Sequence, residues 1–338
     1  MYGPVIRIAP NELSFADPLA IKEIYGQGTP YMKSPFYDGM HLGTPNLFDG
    51  RDRDAHKERR KLLSHAFSKT SINDAEPLIA DQICKFFTWV EKKEGSAMDV
   101  YKWFRMLNLD ITTSLFMGEE IGALDNDAPH EYLSNIDNHL KIGGMKWQMP
   151  YLLPLTSWVP IKSWQRFLTS QERLYSYGRQ AFERYIEHFG RDSKRNDLLK
   201  RVIRGDATAT PLDDKSICSE IGSLIMGGTD TTSTTLTYTV WELAKHPQWQ
   251  TRLREELQRA KVKIRSGVPD YKDIERLEIL DAIVLEGLRL HPAAPASLPR
   301  VVPPQGAWIT GIFVSGGVSV PLSNSTMASL LMLGSQHR

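Results

Sequence analysis

The sequence predicts a mainly α-helical protein with small β-sheets, and three observations carry that expectation. Apolar residues recur at three- and four-residue spacing through most of the stretch from about residue 52 to residue 290. Short apolar runs among Pro and Gly are confined to the first 50 residues and to 298–320. No internal repeat and no long linker interrupts the 338 residues, so one domain is the expectation.

Taken in order, Val5-Ile6-Arg7-Ile8 alternates as a strand does, ahead of the turn-rich Ala9-Pro10-Asn11-Glu12-Leu13-Ser14-Phe15. Leu62, Leu63, Ala66 and Phe67 mark a first helix behind a charged face. Ile79, Ile83, Phe86, Phe87 and Val90 mark a second, and residues 106–117 a third. Residues 146–164 break the period with prolines and concentrate Trp, Tyr and Leu. That segment suits either a buried loop between helices or an apolar lid that admits hydrophobic substrate or touches a membrane surface. Helical spacing resumes over 165–190 and 195–203. The longest helix starts near residue 210, capped either by Thr210 ahead of Pro211 or by Asp213. It carries Ile217, Ile221, Leu224 and Ile225 on one face and stops before Pro247. Helices over 248–261 and 277–290 follow, the last stopped by Pro292, and short strands occupy 298–320.

Composition excludes several classes. With 41 Lys and Arg against 40 Asp and Glu, the net charge of +1 lacks the basic excess of a nucleic-acid binder. Cys84 and Cys218 are the two cysteines, and they form neither a disulfide framework nor a C-x-x-C pair. Cys84, between Ile83 and Phe86, suits a small buried thiol. No run of about eighteen apolar residues is present to span a bilayer, and no basic region leads into an apolar run at the start. The triplet Asn324-Ser325-Thr326 matches a glycosylation acceptor by chance.

Four features look like sites. In Gly227-Gly228-Thr229-Asp230-Thr231-Thr232-Ser233, two glycines each cost a helix about 1 kcal/mol relative to alanine. They admit a flat body close to the backbone, and hydroxyls bonding preceding carbonyls widen the helix. Asp230 and Thr231 set a carboxylate beside a hydroxyl at that opening, suited to proton delivery; the competing reading is a helix crossing with a buried hydrogen-bond network. Glu286 and Arg289, three apart on one helix face among leucines, suit a partly buried structural pair. His56 and Arg60 share a face within a basic cluster otherwise solvated among Asp52, Asp54 and Glu58. Arg300 stands alone among Leu298, Pro299, Val301 and Val302, where a guanidinium calls for an anionic partner.

In this order and spacing the features resemble the cytochrome P450 monooxygenases, over nearly the whole chain to about Pro321. Gly227-Gly228-Thr229-Asp230-Thr231-Thr232 is similar to that family's oxygen-activating run in its long central helix, and Glu286-Gly287-Leu288-Arg289 to its E-x-x-R motif. His56-Lys57-Glu58-Arg59-Arg60 resembles its helix with an Arg for a heme propionate, His replacing the commoner Trp, and Arg300 matches the second propionate Arg. The wording of residues 3–15 and of Leu63-Ser64-His65-Ala66-Phe67-Ser68 is most similar to filamentous-fungal members, among them trichothecene and polyketide-toxin hydroxylases. The resemblance implies the P450 fold, heme b, and two electrons from NADPH through NADPH-cytochrome P450 reductase. It implies hydroxylation of a hydrophobic secondary metabolite, a terpenoid or polyketide, at the cytosolic face of the endoplasmic reticulum. On it, Asp230 and Thr231 deliver protons, Gly227 and Gly228 make room for heme, and His56, Arg60 and Arg300 meet the propionates.

The family's axial ligand is a Cys thiolate in an F-x-x-G-x-R-x-C-x-G loop after the E-x-x-R helix, and this sequence has no such loop. The expectation is therefore a partial P450 domain over 1–321 and a divergent tail over 322–338. No metal ligand is expected, nor an amino-terminal anchor, so a cytosolic location is open. The chain looks like the interior of a longer enzyme, cut at both ends, and inactive at this length. A heme-free helical protein binding hydrophobic ligands or the reductase, and a poorly folding fragment, are the alternatives; saturable heme-free binding and the lack of a cooperative thermal transition would mark them.

Overall fold

Strands β1 (Val5–Ala9) and β2 (Glu12–Phe15) pair as an antiparallel hairpin, irregular between Arg7 and Ala9. The computed structural model describes residues 3–64, 66–126, 128–195, 197–204, 211–265, 267–294 and 298–322. A short helix not anticipated from spacing, α1 (Leu19–Tyr25), buries Ala20, Ile21 and Ile24, and β3 (Met32–Lys33) follows. A 3-10 turn over Pro35–Met40 is opened by Ser34, whose hydroxyl accepts from the Phe36 amide.

The helical body comprises α2 (Arg53–Ser64), α3 (Lys69–Lys92), α4 (Val100–Met117), α5 (Glu131–Gln148), α6 (Leu152–Leu155), α7 (Lys162–Leu168), α8 (Ser170–Phe189), α9 (Leu198–Arg204), α10 (Asp214–Lys245) and α11 (Pro247–Arg259). A two-stranded ribbon, β4 (Ile264–Arg265) and β5 (Val268–Pro269), leads to α12 (Tyr271–Ile274) and α13 (Glu278–Leu290). Strands β6 (Arg300–Val301), β7 (Ala307–Ile309), β8 (Ile312–Val314) and β9 (Ser319–Val320) complete the described chain.

Side chains set the helix ends. The Asp99 carboxylate caps α4 by accepting from the Lys102 amide, and Gly118 closes it at φ 76°, where a Cβ would also strike the Tyr185 ring. Asp213 caps α10 through the Ser216 amide, which decides between the two caps that the sequence offers; Thr210 lies outside the described residues. Helix α4 is buried along most of its length, from Trp103 to Met117, and α10 crosses it at the centre of the main core. Leu107, Leu109, Ile221 and Ile225 belong to that core.

A second core lies under a five-stranded sheet of order β1-β2-β9-β6-β3 and includes Phe15, Ile21, Ile24, Val302, Ile309, Val320 and Leu322. Strand β2 runs parallel to β9, whereas β6 is antiparallel to both β9 and β3. The register sets Lys33 directly opposite Arg300. Leu322 bridges to Phe15, so the sheet extends one residue past the expected boundary at Pro321; the rest of the tail and its Asn324 triplet lie outside the described residues.

The structure excludes one of the two readings of residues 146–164 and corrects that of Cys84. Residues 146–164 are not a buried loop: α5 continues to Gln148, α6 and α7 follow, and Tyr151 and Trp158 are 85% and 79% exposed. Cys84 is half-buried rather than enclosed, because α3 turns only part of its surface to α4.

Candidate active site

The glycine- and threonine-rich run of α10 divides between two faces of the helix. Toward α4, Thr229 Oγ1 lies 3.0 Å from Thr112 Oγ1, and Ser233 Oγ accepts from Asn108 Nδ2 at 3.1 Å and donates to the Phe104 carbonyl at 3.1 Å. A Cβ on Gly228 would stand 2.6 Å from Thr112 Cγ2, so this glycine permits the close α4–α10 crossing. On the opposite, open side, Gly227 has nothing within 4 Å of where its Cβ would be. Thr231 Oγ1 donates to the Gly227 carbonyl at 2.6 Å, and Thr235 Oγ1 to the Thr231 carbonyl at 3.1 Å. The helix-crossing reading holds on the α4 face, and the other face is open beside Gly227 and Thr231.

The division has a measurable consequence for stability. Gly227→Ala is expected to stabilise the protein by about 1 kcal/mol, the helix propensity difference. Gly228→Ala is expected to destabilise it by about 1–3 kcal/mol through overpacking against Thr112. Urea unfolding of the two variants checks the opposite signs.

Asp230 does not join Thr231 at the opening, as adjacency in sequence suggested; one residue of helix turns it toward α4. Its Oδ1 lies 3.2 Å from Arg105 Nε and 3.5 Å from the Tyr101 hydroxyl. The same guanidinium reaches Asp137 on α5 at 2.6 and 3.2 Å and the Leu133 carbonyl at 3.3 Å. Arg105 is nearly buried and lies over the Tyr101 ring. Asp230 is therefore tied into a junction of α4, α5 and α10, which the sequence reading missed. An arginine among Trp103, Phe104, Met106 and Leu107 of α4 was the available signal.

A second constellation lies at the sheet. Arg300 Nη1 donates to the Tyr37 hydroxyl at 3.0 Å and to the Leu298 and Pro299 carbonyls at 3.2 and 3.3 Å. Its guanidinium lies over the rings of Tyr25 and Tyr37. The anionic partner that the sequence called for is not among the described residues. Lys33 Nζ, above the Tyr37 ring, donates to the Phe48 and Leu47 carbonyls at 2.6 and 3.2 Å. Burial and then the charges of Lys33, Arg60 and Arg300 hold the His56 pKa below its ordinary value. Lys33, Arg60 and Arg300 thus surround a His56 imidazole held toward its neutral form, and none of the three has a carboxylate at ion-pair distance among the described residues. His56, Arg60 and Arg300 were expected here; Lys33 was not, since an isolated Lys between Met32 and Ser34 carries no signal until β3 is paired with β6.

Two expectations need correction. Arg59 is not part of a solvated face: it is half-buried and bonds the fully buried Glu220 at 2.6 Å. Glu286 and Arg289 pair in bidentate fashion at 2.6 and 2.7 Å, but both are exposed, because Gly287 is the single residue that α13 buries. The hydrogen bonds from Arg289 lower the Glu286 pKa. Beside them, Thr239, Leu243, Trp249, Ile283 and Leu290 line a groove of about 500 Å³ between α10, α11 and α13.

A model of the cytochrome P450 family matches residues 1–328. The chain belongs to the cytochrome P450 family. Among P450 relatives, cytochrome P450 monooxygenase tazI of Aspergillus terreus is 29% identical over 325 residues, covering 95% of this chain and 65% of the relative. Averantin hydroxylase of Aspergillus parasiticus is 28% identical over 95% of this chain and 64% of its own length. The chain thus spans somewhat less than two thirds of these curated P450s. The cytochrome P450DA heme domain superposes with a TM-score of 0.78 at 18% identity, covering 96% of this chain and 70% of that one, and shows the fold.

The P450 family implies heme, and the residues fit one end of that group. Lys33, Arg60 and Arg300 around His56, none of the three with a carboxylate at ion-pair distance among the described residues, suit two propionates, and the open face at Gly227 and Thr231 leaves space for a flat ring. The axial end does not fit. Cys218 is buried where α10 packs on α8, its thiol pushed up to about 11 mainly by burial, and twelve residues of helix, about 18 Å, separate it from Asp230. Cys84 lies on α3, and no cysteine follows Cys218 in the sequence.

Proposed function

We propose that this chain carries the oxygen-side and propionate-side parts of a heme-dependent monooxygenase that hydroxylates a hydrophobic secondary metabolite, a terpenoid or polyketide. The observation that carries the reading is the cluster of Lys33, His56, Arg60 and Arg300 without an acidic partner. When bound, heme supplies the iron at which oxygen is activated by two electrons from NADPH, delivered by NADPH-cytochrome P450 reductase. Arg60, Arg300 and Lys33 hold and neutralise the propionates, and His56 offers them a hydrogen bond. Thr231 keeps its hydroxyl proton on the Gly227 carbonyl, facing the opening, and can turn it outward. Asp230 can resupply this hydroxyl once it leaves Arg105 and takes up a proton from solvent. Glu286 and Arg289 are structural.

We further propose that the 338-residue polypeptide does not turn over substrate, since no cysteine after the E-x-x-R helix can give the thiolate whose electron density favours O–O cleavage. After reconstitution with hemin and reduction, the carbon monoxide difference spectrum is expected to lack the thiolate-type Soret band. A normal thiolate band would overturn the proposal of inactivity. Retention of ligand without turnover is the second reading, favoured by the same missing thiolate; saturable binding of a terpenoid or polyketide without heme would select it.

No helix among the described residues is long and apolar enough to cross a membrane. Exposed Tyr151, Leu155, Trp158 and Ile161 give the segment between α5 and α7 a face that can lie against the endoplasmic reticulum surface.

A further inference from the structure

Loop 44–49 is stitched to α10 by side chains from one stretch of that helix. Ser219 Oγ donates to the Thr44 carbonyl at 2.7 Å, Glu220 Oε1 accepts from the Leu47 amide at 2.9 Å, and Ser223 Oγ donates to Asn46 Oδ1 at 3.2 Å. The loop also closes on itself. Asn46 donates from its amide and from Nδ2 to the Asp49 carboxylate at 2.7 and 2.9 Å, and Asn46 Oδ1 accepts from the Phe48 amide. Helix α2 adds Arg59, whose Nη1 donates to the same Glu220 oxygen at 2.6 Å.

This buried pair takes no direct part in the oxygen side or in the propionate contacts. Burial raises the Glu220 pKa, Arg59 opposes that rise, and the second carboxylate oxygen is enclosed without a hydrogen-bond partner. Apolar residues can often replace such a pair at no loss of stability, so its use points to specificity of geometry. What the latch fixes is the direction of two carbonyls. Leu47 O and Phe48 O take two of the three donors of the Lys33 ammonium, and the third has no partner among the described residues. Arg51 Nε holds the Lys33 carbonyl at 3.2 Å, opposite Arg300 across the ladder.

We propose that Glu220 and Arg59 are positioning residues that set loop 44–49 so that its carbonyls present the Lys33 ammonium to a dicarboxylate ligand beside Arg300. This rests on the heme reading above, which names the ligand class as the two propionates of a porphyrin. The pair touches neither ligand nor reacting atoms and acts through Lys33.

The test uses the full chain titrated with metal-free protoporphyrin IX and, separately, with its dimethyl ester, followed by porphyrin fluorescence. The wild type is expected to prefer the diacid by about tenfold or more, one charge-assisted bond's worth. Glu220→Gln is expected to reduce that preference about three- to tenfold and leave ester affinity unchanged, as is Lys33→Met. In the Lys33→Met background, Glu220→Gln is expected to add no further loss, since both act on one contact. Arg59→Lys, which keeps the charge but not the fork, is expected to fall between wild type and Glu220→Gln. Should Glu220→Gln fail to fold, Ser219→Ala with Ser223→Ala loosens the same loop and serves in its place. A Glu220 effect that persists undiminished without Lys33, or that weakens diacid and ester alike, would overturn the inference. A wild type that binds diacid and ester equally would instead overturn the heme reading.

Discussion

Arg300→Met is expected to weaken diacid porphyrin binding by about 10- to 100-fold, the equivalent of one or two charge-assisted hydrogen bonds, while the dimethyl ester binds as before. The guanidinium is pinned by Tyr37 and two carbonyls on one nitrogen, so its remaining donors are oriented without further loss of freedom. The wild type should also show a pH profile. Burial first, and Arg300 next, lower the Lys33 pKa to about 8. The carboxylates of Asp49 and Glu220 oppose that lowering. Lys33 is therefore charged below that value, and diacid affinity falls as pH rises through it. In Arg300→Met the neighbouring charge is gone, so the midpoint moves up. Fluorescence titrations over a pH series check both shifts; a flat wild-type profile would remove Lys33 from the site.

Arg59→Met is expected to destabilise the chain by about 3–5 kcal/mol, because it leaves a fully buried carboxylate without its cation. Glu220 has no exposed surface and accepts otherwise from the Leu47 amide alone. The loss depends on pH with a definite sign. Burial already raises the Glu220 pKa in the folded state, and removing Arg59 raises it further. A raised carboxyl gives stability that is complete below the unfolded pKa and is lost as pH rises through the folded one. The deficit against wild type should accordingly be smallest in mild acid and largest near neutrality. Urea unfolding at several pH values measures it; a constant deficit would mean that Arg59 contributes packing rather than charge.

The helices were legible in the sequence because their apolar period is local. The Asp213 cap, the stop before Pro247 and the faces of α10 all follow from residues within a few positions of one another. The sheet was not legible: β2 meets β9 and β3 meets β6 across nearly the whole chain, and two-residue strands carry no alternation. Lys33 was hidden for that reason, whereas Arg300 announced itself as a charge in an apolar segment. Asp230 was misplaced because adjacency in sequence stood in for adjacency in space, and a helix turns about 100° per residue. Glu286 and Arg289 were identified correctly as a pair, yet flanking leucines do not bury a pair when α13 presents them to a groove.

The pairing of Lys33 with Arg300 has a thermodynamic side. Like charges directly opposite one another work against a β-ladder, and here that ladder joins residues as far apart in the chain as Lys33 and Arg300. An anion between them turns the repulsion into attraction, so ligand and sheet closure are linked equilibria. The ligand would then act as a clasp on one of the long-range closures of the sheet, and its concentration would set how firmly β3 and β6 are held together.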